Sequence, residues 1–235
     1  MMTTLSLSDP AQPERDLSFS AHSDDAGWVR APQQARSQDT LARLLDAAEQ
    51  LLEEQPWDAI TVASLVHRGR SSVGAFYARF PDKDSLLQHL HARRSSDAMR
   101  SADAALAPSQ WHGVSLAELV KTLVEQAAGE YAVHAGLHRE IVRRNSFDPR
   151  FRERSSQVSA HSSRLLAMLL AERLPPGGDS VLAADMVQRV LSSLLDQHVQ
   201  FFDRPAGACD LTDARLIDEI ARLCLGYLAS PSQAR

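Results

Sequence analysis

The placement of proline constrains this chain more than any other feature. Pro56, Pro81, Pro108, Pro149, Pro175-Pro176 and Pro205 cut it into short intervals. Proline lacks an N–H and clashes with the preceding helical turn, so it belongs at helix edges. Between these points apolar residues recur with a helical period, and no stretch alternates with period two strongly enough to predict a strand. In 39–55, Leu41, Leu44, Leu45, Ala48, Leu51 and Leu52 form one stripe, with Asp39 as the expected N-cap. Further helices are predicted at about 61–68 (capped by Thr61), 72–78, from near Asp82–Asp84 to about Ala107, and at 115–135, 136–146, 149–174, 179–203 and 212–230. Asp148-Pro149 reads as a helix start and Pro175-Pro176-Gly177-Gly178 as a break. The expectation is an all-α chain, and a glycine count of 10 in 235 residues agrees with it.

Residues 1–37 carry Ser, Asp, Gln and three prolines without a sustained apolar period, and read as a flexible tail or as an overextended start. The formal net charge is −5, which at first disfavours a nucleic-acid partner. The tail holds five acids against three arginines, whereas 60–81 contains Arg68, Arg70 and Arg79 and no acid. Charge placement therefore matters more than the total. Cys209 and Cys224 give neither a disulfide framework nor a zinc spacing. No apolar run approaches a transmembrane span, and the first residues lack the pattern of a secretory signal, so no membrane partner and a cytoplasmic location are expected.

A long amphipathic helix followed by two short ones joined by a tight turn suggests a helix-turn-helix. The second short helix must be small-faced at its start for its backbone to approach a major groove. Ser71, Ser72, Gly74 and Ala75 meet that need, Phe76 faces inward as an anchor, and Tyr77 offers a hydroxyl suited to phosphate. Lys83 adds a charge just beyond.

From Arg36 to Leu87 the sequence resembles the TetR family of bacterial transcriptional regulators. The resemblance is carried by Thr40-Leu41-Ala42-Arg43-Leu44-Leu45-Asp46-Ala47-Ala48, Trp57-Asp58-Ala59-Ile60-Thr61-Val62, Ser72-Val73-Gly74-Ala75-Phe76-Tyr77-Ala78-Arg79-Phe80 and Pro81-Asp82-Lys83-Asp84-Ser85-Leu86-Leu87. It implies that Thr61, Ser72, Tyr77 and Lys83 contact phosphates and that Val73, Gly74 and Ala75 face base edges, with Arg36, Arg70 and Ser71 completing the expected DNA-binding set. One position departs from the pattern. Where the family usually has glycine in the turn, this chain aligns Arg70, with Gly69 one residue earlier. Either the turn shifts by a residue, or Arg70 itself reaches DNA.

The expected organisation is a tail at 1–37, a three-helix DNA-binding domain at 38–84, and a larger helical effector-binding and dimerisation domain at 85–230. Helix 179–203 is apolar on more than one stripe, which suggests burial on two sides. With 212–230 it supplies the expected dimer interface: Val187, Val190, Leu191, Leu194, Leu195, Ile220, Leu223 and Tyr227. By the resemblance, helices from 115 onward enclose an effector pocket, with Gln126, Tyr131, His134, Phe147, Phe151, His161, Met168, His198 and Phe202 as candidate lining. His134 and His138 have a spacing able to hold a metal, but no Cys or carboxylate cluster accompanies them, so no metal and no cofactor are expected. The arginine run Arg139, Arg143, Arg144, Arg150, Arg152 and Arg154 suits an anionic ligand or a solvated face. No Gly-rich phosphate loop, nucleophile elbow or His-Glu-x-x-His helix is present, so no enzyme is expected. The expected function is that of a homodimeric regulator, most naturally a repressor, that binds a pseudo-palindromic operator in double-stranded DNA and is released by a small-molecule effector. The alternative is a helical small-molecule-binding protein whose DNA-binding domain has lost function, supported by Arg70 in the turn.

Overall fold

The computed structural model describes the backbone of residues 27–201 and 210–230, and side chains from Ser37 onward. Among these residues every regular element is helical: α1 (Gly27–Glu54), α2 (Val62–Arg68), α3 (Val73–Tyr77), α4 (Lys83–Ala105), α5 (Leu116–Val133), α6 (Ala135–Asn145), α7 (Pro149–Ala171), α8 (Ser180–Gln200) and α9 (Ala214–Ala229). Single 3-10 turns at Trp57–Ala59 and Pro108–Gln110 link α1 to α2 and α4 to α5.

Side-chain caps fix most of the helix starts. Thr61 and Ser64 form a reciprocal capping box at α2, while Ser72, Asp82, Ser115, Asp148, Asp179 and Asp213 each accept a backbone N–H at the next helices that need one. Such a cap contributes about 1 kcal/mol by occupying an N–H with no partner inside the helix. Asp39 does not act this way. It lies inside α1, where it pairs with Arg43. The residues just before it, Gln33-Gln34-Ala35-Arg36, are strong helix formers, so the helix continues upstream without an apolar stripe to announce it. The tail expected at 1–37 is therefore helical in backbone from Gly27; residues 1–26 lie outside the described residues.

From Asp39 onward the body has distinct core clusters. One gathers Leu44, Leu51, Leu65, Phe76, Phe80, Leu86 and Leu90 from α1–α4, with Leu137 of α6 and Phe151 of α7. A second joins α5, α7, α8 and α9 through residues such as Leu119, Leu170, Val187, Leu191, Ile220 and Cys224. The first cluster crosses the boundary expected at residue 84, because the early turns of α4 belong to the same core as α1–α3.

The joint between α1 and α6 is unusually close. A methyl group on Gly136 would stand 1.9 Å from the Leu52 carbonyl oxygen, so only glycine fits. There the Glu53 carboxylate accepts the N–H groups of Gly136 (2.9 Å) and Leu137 (3.4 Å), capping α6 from another helix. His134, the local cap residue, makes no side-chain cap bond and instead approaches Glu49 at 3.2 Å.

Candidate nucleic-acid interface

The short helix α3 is held from beneath and open above. Phe76 is 0% exposed and lies 5.5 Å from the Phe80 ring, while Leu65 and Leu44 close the same core. On the outer side Ser72, Val73, Gly74 and Tyr77 are exposed, with Ser71 and Ala75 half-buried. Nothing lies within 4 Å of where a Gly74 methyl would be. Thr61, at the start of α2, is also exposed. A five-residue helix cannot persist on its own; its Phe76 anchor and Ser72 cap keep it in place.

The turn into α3 resolves the register left open by Gly69 and Arg70. Ser71 N–H donates to Val66 O (2.8 Å) and Arg70 N–H to His67 O (3.2 Å), which closes a Schellman motif. Arg70 occupies its left-handed position, with φ 46°. Gly69 is right-handed at φ −78° and serves another need. A methyl there would press on Leu65 O, Arg43 O and a Leu44 methyl at 3.1–3.3 Å, so this glycine admits α1 against the end of α2. The turn is not shifted.

The cations around α3 differ in how they are engaged. Arg68 forms a two-pronged pair with Glu54, both contacts 2.8 Å; hydrogen bonding to Arg68 lowers the Glu54 carboxyl below its ordinary range. Arg79 donates to Ala75 O at the end of α3. Lys83, expected to meet phosphate, is half-buried and donates to the carbonyls of Trp57 (2.8 Å) and Ile60 (2.9 Å), near Asp58 O at 3.5 Å, with its ammonium over the Trp57 ring. An ammonium has three donors, and here they are directed to the carbonyls of the 3-10 turn and of its cap residue Ile60, where Trp57 O also accepts the Ile60 N–H at 3.1 Å. Lys83 thus fastens α4 to that turn. The side chain of Arg36 lies outside the described residues.

A polar network behind this surface was not foreseen from sequence. Trp57 Nε1 donates to Asp84 (2.8 Å), Arg144 bonds both Asp84 (2.8 Å) and Glu140 (2.8 Å), and Arg143 grips Glu140 at 2.7 Å. Burial alone would raise the Asp84 carboxyl, but the bonds from Arg144 and Trp57 outweigh it and hold it below its ordinary value. Asp84 stands 27 residues from Trp57 and 60 from Arg144, and a sequence period does not register such pairs.

Two family models match the chain: "Bacterial regulatory proteins, tetR family" over residues 44–90, and "Tetracyclin repressor-like, C-terminal domain" over 115–228. The chain belongs to the TetR family. No curated protein sequence matches it. Among solved structures, a Mesorhizobium loti TetR-family regulator is similar at TM-score 0.64 and 16% identity, covering 82% of this chain and 98% of the other. Escherichia coli NemR in its reduced form is similar at TM-score 0.60 and 14% identity (82% and 99% covered). Bacillus subtilis FadR, solved with stearoyl-CoA, is similar at 0.59 and 15% (78% and 96% covered). At these identities the likeness concerns the fold. As in the family, the chain is an all-α transcriptional regulator with an N-terminal helix-turn-helix, and no described helix is long and apolar enough to cross a membrane.

The residues expected to line a pocket of this TetR-family body do not gather at one place. Tyr131 donates its hydroxyl to Asp196 (2.8 Å) and stacks on His138 at 3.9 Å; burial raises both the tyrosine and the aspartate above their ordinary values. His134 adjoins this pair but turns to Glu49, so His134 and His138 serve different partners. His161 pairs with Asp103 at 2.7 Å, linking α7 to α4. Phe151 is a core residue beneath the N-terminal helices, stacked on His91. Gln126, Phe147 and Met168 are exposed, His198 is half-buried, and Phe202 lies outside the described residues. Nor is the arginine run a plain solvated face. Arg139 donates to Val199 O, Arg150 pairs with Asp148, and Arg154 donates to Gln88 O, while Arg152 is exposed.

The expected interface residues divide as well. Val187, Leu191, Leu195 and Ile220 are buried in the chain's own core and Val190 is half-buried. Leu194, Leu223 and Tyr227 are exposed, as are Val181 and Leu182 in the first turn of α8.

Proposed function

We propose that this regulator binds a pseudo-palindromic operator as a homodimer and leaves it when a small molecule occupies the helical body. The observation that carries the reading is α3: a small-faced, solvent-exposed helix start on a buried aromatic anchor, next to an arginine-bearing turn. Ser72, Val73, Gly74 and Tyr77 form the contacting face, with Thr61 and Ser71 at its margins. A two-fold dimer sets two such helices about 34–36 Å apart, one turn of B-DNA. The exposed apolar residues of α8 and α9, Leu194, Leu223 and Tyr227, form the surface by which copies pair. Repression follows where the operator overlaps a promoter, and the effector acts by favouring a dimer with its reading helices misplaced. The residue range 38–84 acts as the DNA-binding part and 85–230 as the effector and dimerisation part. Bacillus subtilis FadR, of the same fold, was solved with stearoyl-CoA, which supports a small-molecule site in the helical body.

The test is fluorescence anisotropy on labelled DNA from the region upstream of the protein's own gene. Saturable binding that survives excess non-specific duplex supports the reading, and binding no tighter than to a scrambled duplex overturns it. Leu223→Asp is expected to shift light scattering from dimer to monomer and to cost most of the operator affinity.

A further inference from the structure

Among the described residues Arg70 is the one non-glycine residue with a positive φ. The Schellman hydrogen bonds require that conformation, and a glycine would adopt it without the crowding between a side chain's Cβ and the following carbonyl. The neighbouring Gly69 cannot relieve it, because its own missing side chain accommodates α1. Considered as a fold alone, the chain would be better served by glycine at both positions. Arg70 therefore answers to something outside the fold.

Its charge is available. Of the cations from Ile60 to Lys83, Arg68 is committed to Glu54, Arg79 to Ala75 O and Lys83 to the 3-10 turn. Arg70 is exposed, and among the described residues no acid pairs with it. It stands two residues before Ser72, the cap of the exposed helix α3. When such a helix enters a major groove, its first residues take the base edges, and groups flanking them reach the strand backbone.

We infer that Arg70 is a phosphate clamp that grips one DNA strand beside the reading helix. The inference rests on the DNA-binding reading above. It accounts for a strained backbone kept next to a glycine and for the one uncommitted cation at the turn.

The experiment compares the wild type with Arg70→Gly, Arg70→Asn and Arg70→Lys on the upstream fragment and on a scrambled duplex, from about 50 to 200 mM salt. Arg70→Gly and Arg70→Asn should match or exceed the wild type in thermal midpoint, because both residues tolerate the left-handed turn. Both should bind each duplex roughly threefold or more weakly, and the log–log salt slope should fall by about 0.9, one phosphate's worth of released counterion. Arg70→Lys should keep the slope. Unchanged affinity and slope in Arg70→Gly would overturn the clamp while leaving the DNA-binding reading intact. A loss confined to the upstream fragment, with an unchanged slope, would also overturn it by making Arg70 a base reader. If the wild type binds neither duplex, it is the DNA-binding reading that falls.

Discussion

At Gly136 an added methyl group would land 1.9 Å from the Leu52 carbonyl oxygen, whereas at Gly74 it would meet nothing within 4 Å. The first glycine is required by the molecule's own packing, since α6 meets the end of α1 with no room for a side chain. The second is required by nothing inside the protein, and in a helix it is a cost rather than a gain. What it provides must be on its open side. An internal joint and an external face are thus distinguished by the same residue type, and the difference shows which parts of the chain answer to folding and which to a partner.

The comparison can be broken most severely at the joint. Gly136→Ala forces backbone against backbone and is expected to cost about 3 kcal/mol or more, seen as a lower urea midpoint. A midpoint close to the wild type would mean that α6 does not rest on α1 as described. Acid tests the same packed side. Burial, reinforced by neighbouring positive charges, lowers His91 to about 4 and His138 to about 3. Both lie below the ordinary histidine value, so the unfolded chain takes up protons first as pH falls. The stability they contribute is present above pH 6.5 and is lost as pH falls from about 6.5 to 4 for His91 and on to about 3 for His138, on the order of 2–3 kcal/mol for His91. Urea midpoints at pH 7 and 4.5 should separate by less in His91→Leu than in the wild type; equal separations would contradict a buried neutral His91.

Smaller effects sharpen the outer side. Lys83→Met removes the ammonium bonds to the Trp57 and Ile60 carbonyls, leaving Trp57 O only the Ile60 N–H, and is expected to cost roughly 1–2 kcal/mol. A change in DNA affinity without any change in stability would return Lys83 to the phosphate contacts. Gly74→Ala should raise stability by about 0.5 kcal/mol through helix propensity and weaken operator binding. If it weakened the fold instead, the contrast with Gly136 would fail.

Much of this was legible in the sequence because helix starts announce themselves locally. Thr61, Asp82 and Asp148-Pro149 lie beside the apolar period they open, and the structure starts helices at each. Asp39 resembled them and failed, since a cap works only if the chain before it leaves the helix. Phe76 as inward anchor and Tyr77 as outward residue followed from spacing. The pocket set did not cohere, because an apolar or aromatic residue at helical spacing looks the same whether it faces a cavity, a core or solvent. Phe151 and Phe147 show that within one turn of chain. Glu53 with Gly136, and Arg144 with Asp84, are partners set by how helices cross, and no local pattern carries them.

The anchoring of α3 has one further consequence. Its rigidity comes from Phe76 below and from the Ser72 cap, not from the residues it displays at Val73 and Gly74. Exchange at those outer positions leaves the scaffold standing. Such a surface can drift between partners over evolutionary time without passing through an unfolded intermediate sequence, and the same separation lets an engineer redirect it while leaving the rest of the chain alone.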